Sequence, residues 1–429
     1  MCGIAGFTTT TGLPHHTRRA AFADRSARMV ASLSHRGPDA QSVRIDDGIV
    51  LGHARLAIVD LTGGAQPMHD DTHDLTVVFN GEIFNHVELR EELARRHTFR
   101  TRSDTEVILK AWATWGPACL LRFNGQFAFA LWDARAKTLW LARDRVGICP
   151  LYVTTSTEPS TGESTLAFAS EMKALFAGGF VKPAIDALGI KQALHLWAPL
   201  APRTCFEGVS ELPAGCLARV DGGNVHIERW WDLTFDVPHS ERIDDDDEAA
   251  RLLLDALDDA VRVRLRADVP VGAYLSGGLD SSVICALAHR NLGGTLHTFS
   301  LAFANKSYDE RIYQEEVARA LGTKHHVLEI DDLSIGDMLP DVVRHAEQVL
   351  VRSAPAPFFR LSRHVRDLGM KVVLTGEGAD EFLLGYDLYK ETKVRAFWAK
   401  NPSSTLRPRL LQRLYPYLRV SAQSLDIQK

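Results

Sequence analysis

Leu275-Ser276-Gly277-Gly278-Leu279-Asp280-Ser281-Ser282 is the stretch on which the reading of the whole chain turns. Ahead of it, Val269-Pro270-Val271-Gly272-Ala273-Tyr274 is short and mostly apolar, as a buried parallel strand is. Behind it, Val283-Ile284-Cys285-Ala286-Leu287-Ala288 reads as the first turns of a helix. A strand, a small-residue loop and a helix N-terminus in succession make an anion site. Glycine lets backbone N–H groups approach a phosphate, and the helix dipole favours negative charge there. Ser276, Ser281 and Ser282 add hydroxyl donors, and Asp280 is placed to hold a magnesium ion that screens the phosphates. A Gly-Gly pair alone would equally be an ordinary turn; the flanking serines and the embedded aspartate separate the two readings. No lysine stands where a Walker loop needs one, so γ-phosphate transfer is not the expectation.

Ser276–Ser282 resembles the pyrophosphate loop of the N-type ATP pyrophosphatases, and that resemblance implies transfer of AMP to a carboxylate or carbonyl oxygen. Towards the C-terminus, Leu296–Phe303 and His325–Ile330 read as strands and Tyr308–Leu321 as an amphipathic helix. Met370–Thr375 is the last clear strand and runs into Gly376-Glu377-Gly378-Ala379-Asp380-Glu381. The alternation predicts an α/β parallel sheet with its site at the strand C-terminal ends. Asp280 and Asp380 each follow a strand by a few residues, within reach of one cation.

Towards the N-terminus, the acidic run Asp244–Glu248 is expected to be a solvated cap on a helix Ala249–Leu265. The boundary is placed between 233 and 245, giving domains 1–235 and 245–429. The chain opens Met1-Cys2-Gly3-Ile4-Ala5-Gly6-Phe7. If the initiator methionine is removed, Cys2 carries a free α-amino group able to act as a base near neutrality beside its own thiol. His35-Arg36-Gly37-Pro38-Asp39 reads as a fixed turn, and Gly52–Asp60 places Arg55 just after a strand. Leu75–Phe79 is a second strand ending in Asn80-Gly81-Glu82, and Ser103-Asp104-Thr105-Glu106 starts a helix. Each has a plain alternative: an ion pair for Arg55, a hairpin turn for Asn80-Gly81, a cap for Asp104. Their order behind Cys2 favours the functional reading.

Together these residues resemble a class II glutamine amidotransferase domain, an N-terminal-nucleophile hydrolase built as an αββα sandwich. The resemblance implies that Cys2 attacks the side-chain amide of glutamine, forms a thioester and releases ammonia. It makes the Asn80 side chain and the Gly81 N–H the oxyanion hole. Arg55 would grip the α-carboxylate of glutamine, with Leu56, Ala57, Ile58 and Val59 completing that site, and Glu82 and Asp104 would hold the α-ammonium. Ala142–Tyr152 and Phe168–Leu175 also resemble the amidotransferase half of asparagine synthetases. Cys119 and Cys149 are expected to be packing residues.

Thr375–Glu381 is similar to the second signature of asparagine synthetases, where serine is usual at the place of Thr375. By that resemblance Leu275 and Ala302 contact adenine through their backbones, and Thr375 and Gly376 the nucleotide or acyl-adenylate. Ser276, Gly277, Gly278, Ser281 and Ser282 form the ATP loop, Ser276, Gly278 and Ser282 cradling pyrophosphate. Asp280 and Asp380 would bind Mg2+, and Glu377 would assist formation of β-aspartyl-AMP or its attack by ammonia. The cofactors implied are ATP and Mg2+, and the partners are small molecules: glutamine, aspartate and ATP. Two departures stand out. Phe382-Leu383-Leu384-Gly385-Tyr386 replaces a Phe-Gly-Gly-Tyr run, and leucine there is expected to crowd the loop. The family pattern also continues past Lys429 into helices that close the synthetase site, while the Lys400–Lys429 tail, with Pro402, Pro408 and Pro416, is expected to pack poorly alone. Three readings therefore stay open. They are an asparagine synthetase, a related ligase with another acceptor (its pocket around Arg352-Ser353-Ala354-Pro355), and a chain with glutaminase activity alone.

Composition narrows the class without choosing among these. The 429 residues suit two or three domains, and 45% hydrophobic with 24% charged residues is ordinary for a soluble globular protein. A net charge of -5 gives no sign of nucleic-acid binding. No apolar run approaches the roughly 18–20 residues of a membrane span, and no secretory signal is visible. Six cysteines without CxxC spacing argue against a disulfide framework or zinc site and suit a reducing cytoplasm. Among 17 histidines, the His15-His16 and His325-His326 pairs are expected to have no ligand role. A homodimer is one assembly the sequence allows.

Overall fold

Strand β6 (Gly125–Asp133) shows how the first half is layered. Its Phe127, Phe129 and Leu131 enter one apolar cluster while Ala128, Ala130 and Trp132 enter another, so the period-2 alternation buries both faces. The computed structural model describes residues 1–9, 15–157, 164–235, 238, 242–306 and 309–414. Tyr308, part of the expected boundary segment and the tail from 415 onward lie outside those residues.

Two six-stranded antiparallel sheets face one another. The first contains β1 (Gly3–Thr9), β2 (Ala40–Asp46), β3 (Ile49–Arg55), β8 (Tyr152–Thr157), β9 (Ser164–Ala169) and β10 (Ser210–Glu211), in the order β10-β8-β9-β1-β3-β2. The second contains β4 (Met68–Asp70), β5 (Leu75–Ile83), β6, β7 (Thr138–Arg143), β11 (Cys216–Asp221) and β12 (Asn224–Arg229), in the order β12-β11-β7-β6-β5-β4. Ile4, Leu51 and Phe168 of one sheet meet Val78, Ala130 and Leu141 of the other. Helices α1 (His15–Ser32) and α4 (Met172–Ala177) cover the first sheet through Met29, Val30 and Leu175. Helices α2 (His86–Leu93) and α3 (Asp104–Trp115) cover the second through Leu89, Ile108 and Trp112. This is the expected αββα sandwich; α5 (Ala187–Leu196) falls in the chain between α4 and β10.

The second half opens with α6 (Asp246–Arg264), capped by Asp245, whose carboxylate accepts the Glu248 N–H at 2.8 Å. The acidic run is thus a cap and first turn, where the helix dipole favours it. Four parallel strands follow: β13 (Val271–Tyr274), β14 (His297–Phe303), β15 (Lys324–Ile330) and β16 (Val372–Leu374), in the order β15-β14-β13-β16. On one face α7 (Leu279–Leu292) and α8 (Arg311–Leu321) pack with α6 through Cys285, Ala288, Ala318 and Val261. On the other face α10 (Pro355–Asp367) places Leu361 and Val365 against Phe299 and Met370, with α9 (Asp332–Ala346) before it in the chain. The chain leaves β13 in one direction and returns to its other side at β16, so the switch point of the sheet lies between them. Ligand crevices form outside the carboxyl ends of strands at such a point. Beyond β16 run α11 (Ala379–Leu383), α12 (Asp387–Ala399) and α13 (Arg409–Leu414). Among the described residues no helix is long and apolar enough to cross a membrane.

Candidate functional site

Cys2 lies immediately before β1, and its Sγ accepts the Leu56 N–H at 3.3 Å. Burial pushes its thiol pKa up, while the neighbouring α-amino group pulls the other way. That amino group, carried by Met1, is held below its ordinary value by burial and then by Arg36. Burial thus holds this amine towards its neutral, basic form and at the same time keeps the proton on the thiol. Arg36 donates from Nε to the Cys2 carbonyl at 2.9 Å and from Nη1 to Glu171 Oε1 at 2.9 Å. Sequence reading saw only a turn there, and no local pattern marks the arginine as the clamp on the Cys2 carbonyl.

A small cavity of about 50 Å³, partly open to solvent, is lined by Met1, Cys2, Arg55, Leu56, Ile58, Val59, Gly81, Glu82 and Asp104 among others. Of the expected glutamine residues, Arg55, Leu56, Ile58, Val59, Gly81, Glu82 and Asp104 line it, and Ala57 and Asn80 do not. Ala57 turns its amide away to Asp39 Oδ2, at 2.7 Å. Arg55 ends β3 and already donates to the carbonyls of Asp60 at 2.7 Å and Leu61 at 2.9 Å, which hold its fork at the cavity wall.

Asn80 and Gly81 sit inside β5, not after it, because β6 continues the pairing past them, Asn80 opposite Ala128 and Gly81 opposite Phe127. That removes the hairpin-turn alternative. The Asn80 side chain is fully buried, yet neither its Nδ2 nor its Oδ1 has a hydrogen-bond partner. Leaving a buried amide unpaired costs about 1–3 kcal/mol, so this donor is held ready for something that arrives. Gly81 has φ +148°, and a Cβ there would stand 2.1 Å from the Gln126 carbonyl oxygen.

Glu82 and Asp104 are both buried. Burial, reinforced by Asp104, pushes the Glu82 carboxyl up to about 8, and Arg264 at the end of α6 offsets this only in part. Asp104 is raised too, chiefly by burial, although it accepts the Ile83 N–H at 3.1 Å. Two carboxyls short of positive charge in one wall suit an ammonium group. Gln66, which sequence reading missed, also lines the cavity; its side chain accepts the Phe79 N–H at 2.6 Å and donates to Thr105 Oγ1 at 3.2 Å.

In the second half the glycine loop leaves β13 at the switch point. Gly277 has φ +84°, and a Cβ there would meet Tyr313 Cβ at 2.7 Å, so only glycine fits. Gly278 is the N-cap of α7 and offers no side chain, which leaves the helix's first N–H groups to a ligand. Ser281 departs from the expected role. Its hydroxyl is buried, accepts the Ser276 N–H at 3.1 Å and lies 2.9 Å from Ser276 Oγ, so it shapes the loop from within. The Ser282 hydroxyl donates to the Gly278 carbonyl at 2.7 Å. The Leu275 N–H is committed to the Phe299 carbonyl at 2.9 Å, and the Leu275 carbonyl accepts the Ser300 hydroxyl. Ala302 is buried in β14. Gln314, a second residue missed from sequence, is buried, donates to the Leu301 carbonyl at 3.0 Å and leaves Oε1 unpaired.

Beside this loop, a Cβ on Gly376 would lie 3.0 Å from Asp280 Cβ, so the Thr375-Gly376 turn packs directly on the first turn of α7. Asp380 opens α11, and Glu377 lies exposed between, its N–H 3.4 Å from Thr375 Oγ1. No group of three or more His, Cys, Asp or Glu side chains able to hold a metal occurs among the described residues. Two carboxylates with phosphate oxygens and water suit Mg2+, which rarely takes an all-protein cage. Leu384 does not crowd the loop as expected: it is 55% exposed and instead adopts φ +58°, the left-handed backbone that glycine accepts freely.

The glutamine amidotransferase domain family matches residues 1–231, and the asparagine synthase family residues 252–426. Bacillus subtilis asparagine synthetase [glutamine-hydrolyzing] 3 is 34% identical over 432 residues, covering 96% of this chain and 67% of the relative. The chain belongs to the glutamine-hydrolysing asparagine synthetase family. A Mycobacterium tuberculosis relative is 35% identical over 410 residues, 91% of this chain, and the chain spans 61% of that relative's length. Oryza sativa asparagine synthetase [glutamine-hydrolyzing] 2 is 34% identical over 397 residues, 90% of this chain and 60% of its own. Among solved structures, the Bacillus subtilis glutamine phosphoribosylpyrophosphate amidotransferase superposes with a TM-score of 0.38 at 15% identity, over 76% of this chain and 81% of its own.

Proposed function

We propose that the chain makes asparagine from aspartate and ATP, using ammonia released from glutamine, with a glutaminase domain at 1–235 and an ATP-binding domain at 245–429. One observation carries this: a single chain holds a thiol on a cavity shared with Arg55, Gly81, Glu82 and Asp104, and a glycine loop at a sheet switch point. With Met1 removed, the α-amine of Cys2 takes the thiol proton as sulfur attacks the glutamine amide carbon. The developing oxyanion is met by the Asn80 Nδ2–H and the Gly81 N–H. The proton passes to the leaving ammonia, and water hydrolyses the thioester to glutamate. Arg55 holds the α-carboxylate, and Glu82 with Asp104 the α-ammonium.

In the second domain, Ser276, Gly278, Ser282 and the N–H groups opening α7 receive the pyrophosphate of ATP. The backbones around Leu275 and Ala302 border the adenine, and Thr375 with Gly376 borders the site where the aspartate β-carboxylate takes AMP. Glu377 would receive the proton that ammonia loses on attacking that acyl-adenylate, with AMP as the leaving group. Asp280 and Asp380 would hold Mg2+, which neutralises phosphate charge when bound.

Purified protein, its N-terminus confirmed as Cys2, would be supplied with glutamine, ATP, Mg2+ and aspartate while glutamate and pyrophosphate are followed together. Pyrophosphate appearing with asparagine, and persisting in Cys2→Ala when ammonium replaces glutamine, is the expected result. Glutamate without pyrophosphate would confine the activity to the first domain, and pyrophosphate that needs a different carboxylate would reassign the acceptor.

A further inference from the structure

Two contacts reach from the second half onto the loop that borders the glutamine cavity, 56–60, and both start at the N-terminal ends of neighbouring strands. Asp268, three residues ahead of β13, donates its N–H to the Ile58 carbonyl at 3.0 Å and accepts the Asp60 N–H on Oδ2 at 2.7 Å. Lys371, immediately ahead of β16, places Nζ 2.7 Å from Asp39 Oδ2 and 3.4 Å from the Ala57 carbonyl. The same Asp39 oxygen accepts the Ala57 N–H at 2.7 Å. The loop is therefore bonded on its outer side at Ala57, Ile58 and Asp60, while Leu56, Ile58 and Val59 line the cavity and Leu56 touches the Cys2 thiol.

β13 and β16 are in-register neighbours, Val271 opposite Val372 and Ala273 opposite Leu374. Their opposite ends release the Ser276 loop and the Thr375-Gly376 turn, which pack on one another at Asp280. At about 3.3 Å per residue, Lys371 and Thr375 are only about 13 Å apart along the strand. Each strand thus joins the glutamine loop at one end to a nucleotide loop at the other.

We propose that Lys371 and Asp268 are positioning residues for glutamine, so that the half carrying the nucleotide loops sets the shape of the loop that receives the amide substrate. This rests on reading the first half as a glutamine amidotransferase. Lys371 acts through Asp39, whose carboxylate fixes the Ala57 amide, and through the Ala57 carbonyl. Asp268 fixes the far end of the same loop with one donor and one acceptor.

The test uses the full chain as wild type, Lys371→Met, Lys371→Arg and Asp268→Ala. Glutamate release is measured against glutamine concentration, and Cys2 alkylation is timed with 6-diazo-5-oxo-L-norleucine, which is glutamine-shaped, and with iodoacetamide, which is not. Lys371→Met is expected to raise the glutamine KM about five- to tenfold with kcat within about twofold. It should slow labelling by the glutamine-shaped reagent by a similar factor and leave iodoacetamide labelling unchanged. Lys371→Arg should restore most of the loss, and Asp268→Ala should act in the same direction. An unchanged KM in Lys371→Met, or an equal slowing with both reagents, would overturn the proposal. A wild-type chain that neither releases glutamate nor reacts with the glutamine-shaped reagent would overturn the amidotransferase reading beneath it.

Discussion

The amide site and the nucleotide loop belong to one chain and are built by opposite means. At the amide site the polar groups are buried before any ligand arrives: Asn80 has no partner for its side chain, and Glu82 and Asp104 are 8% and 6% exposed with little positive charge beside them. At the nucleotide loop Gly278, Asp280 and Glu377 are exposed, and the serines satisfy one another and the backbone. The difference matches what each is proposed to receive. A neutral amide develops charge only in the transition state, so its donors must stand ready in a dry site. A polyphosphate arrives charged and hydrated, and backbone N–H groups of the right shape suffice. Readiness is held as unsatisfied polar groups in one site and as glycine dihedrals in the other, φ +84° at Gly277 and φ +95° at Gly378.

The comparison breaks most sharply at Asn80. Replacing it with leucine should lower kcat for glutamine hydrolysis by about 10²–10³ while leaving Tm equal to or above wild type, because the buried amide makes no bond to lose. A Tm that falls along with kcat would make Asn80 a structural residue. The counterpart is Ser281→Ala, which removes a hydroxyl already spent inside the loop. It should weaken ATP binding about fivefold and lower stability by about 1 kcal/mol, read by calorimetry and urea unfolding, with glutamine hydrolysis unaffected.

Glu82 sharpens the contrast through pH. Its folded carboxyl is raised from 4.5 to about 8, so its stabilising contribution is full below about 4.5 and is lost as pH rises through about 8. Glu82→Gln should therefore flatten the decline in stability between those values. Binding of the glutamine α-ammonium should expel up to about one proton at pH 7, since the charged partner favours the carboxylate. Calorimetry in two buffers of different ionisation enthalpy measures that release, which should vanish well above pH 8. The smallest effect is at Leu384, where φ +58° strains a leucine that is over half exposed. Leu384→Gly should raise stability by about 0.5 kcal/mol, the left-handed penalty relieved less the added chain entropy of glycine. No change, or a loss, would mean that the leucine side chain contributes contacts that outweigh the strain.

Much of both sites was legible in the linear chain. Cys2, the Asn80-Gly81 pair, the Ser103 cap on α3 and the Ser276–Ser282 loop are local patterns; the structure sets Cys2 and Gly81 on one cavity, makes Ser103 the cap of α3 and puts the glycine loop at the start of α7. Boundaries were less legible. Helix α7 begins at Leu279 rather than near Val283, because Gly278 serves as its cap and Asp280 falls in its first turn. Strand β13 excludes Val269 and Pro270, since proline has no N–H for the ladder. β5 runs on through Glu82 because its partner β6 does, which no turn signal in Asn80-Gly81 could reveal.

Sequence by itself determined the two family resemblances and the alternation that builds a sandwich and then a parallel sheet, because turn glycines, caps and apolar periodicity act over a few residues. Only the tertiary structure decided which residues brace those sites. Arg36 and Glu171 are 135 positions apart; Glu347, at the end of α9, caps α4 by accepting the Met172 N–H from 175 positions away, and Lys371 reaches Asp39 across 332. Such pairs leave no period and no spacing in the chain, since the geometry joining them exists only once the strands and helices between them have packed.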